Sequence, residues 1–144
     1  MMLLFIATTA AAMFSGAAIY VNLVEHPARV SCGADVALRE FAPAYKRGTV
    51  MQASLAVIGA LTGLAAAWQF GDAVIAAAAI LLGAVVPFTL IVIVPTNARL
   101  LDPALEPSEG MRLLGRWGRL HAVRTVLSSI AFVIFLLRVG GWRS

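Results

Sequence analysis

The chain has 144 residues, of which 61% are hydrophobic and only 12% are charged, and its mean hydropathy is +0.92. This composition excludes a water-soluble domain of that length and predicts an integral membrane protein. The formal net charge of +4 comes from eleven Lys and Arg residues, nearly all outside the apolar segments, so we expect contact with anionic lipid headgroups and not with nucleic acid.

Four apolar segments, at about residues 2–24, 49–69, 73–94 and 119–138, are each long enough to cross a bilayer as a helix. They take up most of the chain, so we expect a single domain over residues 1–144, folded as an all-α transmembrane four-helix antiparallel bundle. The first segment lacks the positively charged start of a signal peptide and stays apolar for too long, so we expect it to be retained.

The first two helices are expected to be separated by a polar connection. Pro27 is predicted to mark the end of the first helix, and Pro43 suits the first turn of the second. Between them, Ala37, Phe41 and Tyr45 recur at helical spacing, which indicates a short separate helix at the membrane interface.

Small residues in the second helix predict how it packs, and a turn is predicted where it ends. Gly59 and Gly63 form a small-xxx-small pair that would let another helix approach closely, although such pairs are frequent by chance in a chain this rich in Ala and Gly. Gly71 and Asp72 predict a tight turn with Asp72 as N-cap, so the second and third helices should be antiparallel neighbours.

The third and fourth helices follow. The third is expected to bend at Pro87 and to stop at Pro95. Ser108 is the predicted N-cap of the fourth. The first half of this last helix is amphipathic, with Met111, Leu114, Trp117 and His121 on one face and Arg112, Arg116 and Arg119 on another.

Polar residues collect at one membrane face. Because successive helices alternate in direction, this face receives the end of the first and third helices and the start of the second and fourth. An ionisable group at membrane depth is costly unless it is paired, so we expect these residues to point inward and to enclose a binding pocket. The set comprises Tyr20, Asn22, Glu25, His26, Tyr45, Gln52, Thr96, Asn97, Arg99, Trp117, His121, Arg124 and Thr125.

A simpler alternative is that these residues only satisfy one another. Arg124 would then form an ion pair with Glu25, and His121 would bond to Asn97, while Trp117 would anchor the helix at the interface. Convergence of so many polar groups from separate helices favours a ligand or substrate site over this alternative.

A metal site is a further alternative. Glu25, His26 and His121 have the composition of a two-histidine, one-carboxylate triad for non-haem iron. Adjacent residues point about 100° apart on a helix, so Glu25 and His26 would reach one ion only if the helix unwound there. We therefore expect no metal here, with this triad as the alternative.

Two stretches resemble the anthrone oxygenase-like family of small four-helix membrane proteins. One is VPFTLIVIVPTNARL, residues 86–100, with a PFT followed by a PTN and an RL; the other is RWGRLHAVRT, residues 116–125, with a W, LH and R pattern. A Pro-containing polar turn after the first helix and a Tyr-x-Arg near the second extend the resemblance over nearly the whole chain. The departure is YVNLVEHPAR, residues 20–29, where Glu25 and His26 stand at a place that is mostly apolar in the fungal enzymes.

Characterised members of that family are fungal enzymes that oxygenate an anthrone to an anthraquinone without a metal or flavin. The resemblance therefore implies a membrane-embedded, cofactor-independent oxygenase of an activated phenolic or anthrone-like aromatic substrate. It implies catalytic roles for His121, Arg124 and Asn97, with His121 as base, and a stacking role for Trp117. We assign substrate binding to Trp117, His26, Asn22, Glu25, Tyr45 and Gln52.

The partners expected are a small hydrophobic aromatic substrate, dioxygen and membrane lipid, and a homo-oligomer is left open. The competing function is a non-catalytic membrane binding protein or small subunit that holds a quinone, lipid or partner helix. A channel or transporter fits less well, because the far half of the bundle is almost purely apolar.

The distribution of Lys and Arg predicts the orientation. The positive-inside tendency puts the two basic connections and the pocket in the cytoplasm and both termini outside, in the plasma (inner) membrane. The two connections contain Arg29, Arg39, Lys46, Arg47, Arg99, Arg112, Arg116 and Arg119, against Arg138 and Arg143 at the opposite face.

Overall fold

The structure, a computed structural model, describes residues 1–142, so Arg143 lies outside the described part. The four long helices are α1 (Met2–Ser31), α2 (Ala34–Phe70), α3 (Ala73–Leu100) and α4 (Pro107–Val139), and each is long and apolar enough to cross a membrane. Residues 1–142 contain no strand. The predicted all-α transmembrane four-helix fold is confirmed.

The helices form a bundle in which neighbours in sequence are neighbours in space. Helix α1 packs against α2 and α4, α2 packs against α3, and α3 packs against α4, while α2 and α4 also touch across the diagonal. The buried core of the far half is dominated by alanine, with Phe14, Leu82 and Phe135 as its largest side chains. Small residues let helix backbones approach closely, which is how helices associate in lipid without a hydrophobic driving force.

The predicted role of Gly59 and Gly63 in helix packing is confirmed. A Cβ atom on Gly59 would lie 2.5 Å from Leu82 Cδ2, and one on Gly63 would lie 2.9 Å from Ala79 Cβ and 2.8 Å from Phe135 Cζ. A side chain at Gly63 would push α2 away from α3, because the Cβ of Ala79 moves only with its backbone, whereas at Gly59 the end of the Leu82 side chain would have to shift.

The turn between α2 and α3 is also as predicted. Gly71 has a φ of +63°, a left-handed conformation that favours glycine, and ends α2. Asp72 Oδ1 accepts hydrogen bonds from the backbone N–H groups of Val74 at 2.8 Å and Ile75 at 3.2 Å, so Asp72 caps α3.

The predicted helix ends at Pro27 and Pro95 are wrong, because α1 and α3 continue beyond these residues. In each helix the proline is preceded by a π-helical segment, Val21–Glu25 in α1 and Thr89–Ile93 in α3. A proline ring clashes with the carbonyl group four residues earlier, which in both cases belongs to the π-helical segment. The wider turn gives that carbonyl group room and lets the helix continue.

Two further predicted boundaries are wrong. The separate interfacial helix does not exist, because α2 begins at Ala34 and includes Pro43 in its interior. The break falls at Gly33 instead, where φ is +84°. Helix α4 begins at Pro107 with Glu106 as its N-cap, not at Ser108, because proline fits the first helical position.

Helices α2 and α4 are longer than a membrane requires. With 37 residues, α2 is about 55 Å long, against a hydrocarbon core of roughly 30 Å. Arg47 and the exposed Trp68 are about 32 Å apart along the helix, which matches the two headgroup levels. We therefore expect the first third of α2 to extend beyond the bilayer, at the same end of the bundle as the start of α4.

Candidate functional site

A cavity of about 400 Å³ opens between α1, α2 and α4 at the membrane face where the polar residues were expected to meet. Its volume is within the range of small-molecule pockets, roughly 300–1,000 Å³. It extends from Arg47 to Gln52 and Ala17, inside the apolar part of the bundle. The side chains that give it chemical character are Tyr20, Glu25, Arg29, Glu40, Phe41, Tyr45, Arg47, Gln52, Trp117, His121 and Arg124.

The structure brings together six of the nine predicted site residues. The cavity lining includes Glu25 from α1, Tyr45 and Gln52 from α2, and Trp117, His121 and Arg124 from α4. The other three, Asn22, His26 and Asn97, lie outside the lining. No part of α3 contributes to the cavity, although α3 was expected to supply a site residue.

His121 is buried and held from α1. Its Nδ1 lies 2.8 Å from Oδ1 of Asn22, and no hydrogen bond joins its Nε2 to any residue of the described chain. The alternative bond between His121 and Asn97 is wrong, because Asn22 takes that place. The imidazole therefore has one nitrogen fixed by α1 and one free, in a ring that lines the cavity.

Arg124 is a guanidinium group without a counter-ion. Its Nη2 donates a hydrogen bond of 2.6 Å to Oε1 of Gln52, and its Cζ lies 5.4 Å from the centre of the Phe14 ring, within range of a cation–π contact. No carboxylate forms an ion pair with it among residues 1–142, so the alternative pair with Glu25 is wrong. The cavity thus contains an uncompensated positive charge at its deep end.

Glu25 is instead part of an ion-pair cluster at the mouth of the cavity. Arg29 pairs with Glu25, one helical turn earlier, and with Glu40 on α2. The side chain of Arg29 is only 4% exposed, and its Cζ lies 5.9 Å from the ring centres of both Phe41 and Trp117. The cluster ties α1 to α2 across the opening.

Sequence analysis missed four cavity residues, Arg29, Glu40, Phe41 and Arg47. The signal was the spacing of Glu25 and Arg29, which are four residues apart and meet on one face of a continuous helix. A helix that ended at Pro27 would not bring these two side chains together, and this is why the predicted helix end concealed the pair.

Aromatic rings form one wall of the cavity. Phe41 and Tyr45 stack with their planes 1° apart and centroids 5.8 Å apart, while the Trp117 ring meets Phe41 edge-on at 5.6 Å. The Trp117 and His121 rings are 4.8 Å apart. Offset and edge-to-face arrangements are the favoured geometries of aromatic pairs, and together they present flat apolar surface to a ligand.

The three predicted residues outside the lining are buried or half-buried between helices. The His26 ring packs 5.3 Å from that of Trp117 and against the backbone of Gly118. Asn97 is 2% exposed on α3, and its Oδ1 has no hydrogen-bond partner in the described residues. A role in catalysis for Asn97 stays a prediction of the family resemblance.

The alternative metal triad is not assembled. Within residues 1–142, no three His, Cys, Asp or Glu side chains are placed so that they could hold one metal ion. Glu25 is turned toward Arg29 and His121 toward Asn22, while His26 is wedged beside Gly118.

A second cavity, of about 360 Å³, lies at the opposite end of the bundle. Its charged groups neutralise each other, because Arg138 Nε lies 3.2 Å from Asp72 Oδ2. The uncompensated charge of Arg124 therefore distinguishes the cavity between α1, α2 and α4 as the better candidate for a functional site.

Comparison with known protein families gives one finding: the family model described as anthrone oxygenase matches residues 41–134, more than half of the chain. The chain belongs to the anthrone oxygenase family. The match contains both stretches on which the resemblance was based, residues 86–100 and 116–125. It also contains most of the cavity residues on α2 and all of those on α4, whereas α1 lies outside it. No curated protein and no solved structure matches the chain.

Proposed function

We propose that this member of the anthrone oxygenase family is a membrane-embedded oxygenase that acts on an activated phenolic or anthrone-like aromatic substrate. One observation carries the proposal: a free imidazole nitrogen of His121 and the uncompensated guanidinium of Arg124 belong to the same aromatic-walled cavity. A base next to a fixed positive charge suits a reaction that removes a proton and leaves an anion.

The first step is proton removal. A phenolic anthrone has an acidic benzylic C–H, and Nε2 of His121 is the base proposed to take its proton. The electron pair of the broken C–H bond is then shared between the carbon and the neighbouring carbonyl oxygen as an enolate. General-base catalysis of this kind contributes roughly 10²–10⁴-fold to a rate.

Arg124 is proposed to stabilise that enolate. In a cavity at membrane depth, a fixed positive charge acts on an anion more strongly than it would in water. Gln52 accepts a hydrogen bond from Arg124 and so holds the guanidinium without neutralising it. Tyr45 and Trp117 supply flat surface against which an aromatic substrate can stack.

The remaining steps need only dioxygen. The enolate donates one electron to dioxygen, and the two radicals combine into a peroxide with a new C–O bond. The peroxide anion takes back the proton held by His121 and becomes a hydroperoxide. Loss of water then breaks its O–O bond and the remaining C–H bond on the same carbon, which leaves the quinone carbonyl. One oxygen atom ends in the product and one in water, and the substrate supplies all electrons, so we propose that no metal or flavin takes part.

The test is oxygen consumption by the purified protein in detergent, with an anthrone as substrate, before and after treatment with a chelator. We expect turnover that survives the chelator, and we expect His121→Ala to lower kcat by roughly 10²-fold or more. Ser128→Ala is the control, because Ser128 is buried on the same helix but bonds only to the backbone of Thr125. Unchanged turnover in His121→Ala would remove the proposed base.

A non-catalytic binding protein is the second candidate, favoured by the size and aromatic wall of the cavity alone. It predicts that an anthrone or a quinone binds and quenches tryptophan fluorescence, while no oxygen is consumed. Binding without turnover would therefore replace the oxygenase proposal.

For the location, we propose the plasma (inner) membrane, with the cavity and the two basic connections facing the cytoplasm. The support is the excess of exposed basic residues at the cavity end, which include Arg39, Arg99, Arg112, Arg116 and Arg119.

A further inference from the structure

Asn22 was expected to bind substrate, but it faces α4 and not the cavity. It lies in the π-helical segment Val21–Glu25 of α1. Its Oδ1 is 2.8 Å from Nδ1 of His121 and 2.6 Å from Oγ1 of Thr125, and its Nδ2 is 3.1 Å from the carbonyl oxygen of Gly118. All three contacts join α1 to a single face of α4.

The Gly118 carbonyl decides which way the side-chain amide points. A carbonyl oxygen can only accept a hydrogen bond, so the atom of Asn22 that faces it must be the NH₂ group. The amide oxygen must then face His121 and Thr125. Turning the amide over would bring two oxygens together at 3.1 Å and lose the bond to Gly118.

The amide orientation in turn decides the state of His121. Because Oδ1 of Asn22 only accepts, Nδ1 of His121 must carry a hydrogen and donate it. In a neutral imidazole one nitrogen carries the hydrogen and the other has a lone pair, so Nε2 is left as the basic nitrogen. That nitrogen has no hydrogen-bond partner in residues 1–142, and its ring lines the cavity.

We infer that Asn22 is a positioning residue, which holds His121 as the Nδ1–H tautomer and thereby leaves Nε2 free to act as the base. The inference rests on the proposed function of His121. It extends that function to α1, which the family match over residues 41–134 does not reach. The role is that of the third group in a nucleophile–base–orienter arrangement, here filled by a neutral amide.

Asn22 and Glu25 lie in the same π-helical segment of α1 but contact different neighbours. The amide of Asn22 faces α4, while Glu25 reaches the cavity mouth and Arg29. The same segment thus supplies a support for the base and a carboxylate for the ion-pair cluster.

The direct test is ¹⁵N NMR of protein labelled at histidine, in detergent micelles. The chain has only two histidines, so the His121→Ala spectrum assigns the signals by subtraction. We expect His121 of the native protein to have a hydrogen-bearing Nδ1 and a bare Nε2. A hydrogen on Nε2 instead would overturn the inference, whatever the turnover.

Variants connect the tautomer to activity. Asn22→Leu removes the acceptor, so we expect a mixture of tautomers and a kcat lowered by about 10²-fold, with KM changed far less. Asn22→Asp keeps an acceptor for Nδ1–H but turns its second oxygen toward the Gly118 carbonyl oxygen, so it should retain the native tautomer and more activity than Asn22→Leu, at a cost in stability. Ser128→Ala, which removes a buried hydroxyl not bonded to Asn22 or His121, should change neither.

The His121 tautomer and the turnover rate together test the role of Asn22 separately from the function proposed for His121. Loss of turnover in Asn22→Leu with an unchanged His121 tautomer would contradict the positioning role. If the tautomer is as inferred but His121→Ala turns over normally, the proposed function fails and the structural assignment of the tautomer stands. If Asn22→Leu does not fold, the ¹⁵N spectra of the native protein and of Asn22→Asp still test the tautomer assigned to His121.

Discussion

At the scale of single residues, Arg29 and Arg124 contribute to the cavity in opposite ways. Both are guanidinium groups held next to aromatic rings, but Arg29 is shared by two carboxylates, whereas Arg124 has only the amide oxygen of Gln52 as partner. A guanidinium already paired with carboxylates attracts a further anion weakly. Arg29 therefore ties the cavity mouth together, and Arg124 remains available to an anion formed inside.

We predict a structural role for Arg29 that can be measured without substrate. Arg29→Met leaves Glu25 and Glu40 unpaired, so the free energy of unfolding, measured by denaturant titration in detergent, should fall by about 1–3 kcal/mol. Arg39→Met is the matched control, since Arg39 pairs with Asp35 at the same four-residue spacing but both side chains are over 70% exposed. The control should change stability by less than about 0.5 kcal/mol, and equal losses in the two variants would refute the role given to Arg29.

The types of residue in the sequence predicted part of the site but not the hydrogen bonds within it. His121 and Arg124 could be selected because ionisable groups at membrane depth are costly and need a reason to be there. Their partners could not, because three amides, Asn22, Gln52 and Asn97, were expected at the same membrane face and nothing in the sequence distinguishes them. Which polar group bonds to which depends on helix rotation, and a π-helical turn in α1 changes that rotation.

At the scale of helices, the prolines had the largest effect on what could be predicted. Pro27 and Pro95 follow π-helical segments and lie inside continuous helices, although a proline after an apolar run usually marks a helix end. Helix ends placed at these prolines made the predicted α1 and α3 too short. They also left the pairing of Glu25 with Arg29 along one helix unpredicted. By contrast, the turn at Gly71 and Asp72 was predictable, because both residues have a strong local conformational preference.

Close packing of α2 yields a second stability prediction. Gly63→Leu would force a side chain into Ala79 and Phe135, so we expect a loss of about 1–3 kcal/mol from overpacking, or more if the helices must separate. Thermal unfolding followed by circular dichroism would measure it. Gly16→Leu is the control, because a Cβ there would meet nothing within 4 Å. A control as damaging as Gly63→Leu would argue against close packing at Gly63.

At the scale of the whole molecule, the two ends of the bundle differ in charge and in length. The cavity end includes the protruding starts of α2 and α4 with their exposed arginines, while the far end has exposed Trp68 and Trp142 and the Arg138–Asp72 pair. Tryptophan favours the membrane interface, and basic residues favour the cytoplasmic side.

This asymmetry predicts the orientation in the membrane. A fluorescent reporter that matures only in the cytoplasm should stay dark when fused to the C-terminus, because both termini are expected outside. The same reporter fused after Asp102, in the connection before α4, should fluoresce and serves as the internal control. A bright C-terminal fusion with a dark fusion after Asp102 would reverse the orientation.

The amino-acid sequence alone was enough to predict that the chain lies in lipid, that it has four helices, and at which end of the bundle the polar residues collect. These properties follow from the length and apolarity of four segments and from the alternation of their direction, neither of which depends on side-chain contacts. The packed helices were needed to show that the cavity belongs to α1, α2 and α4, that Asn97 lies outside it, and that Asn22 and not Asn97 bonds to His121. These contacts depend on how the helices are rotated against one another, and that rotation is set by packing between segments far apart in the chain, which a local sequence pattern does not contain.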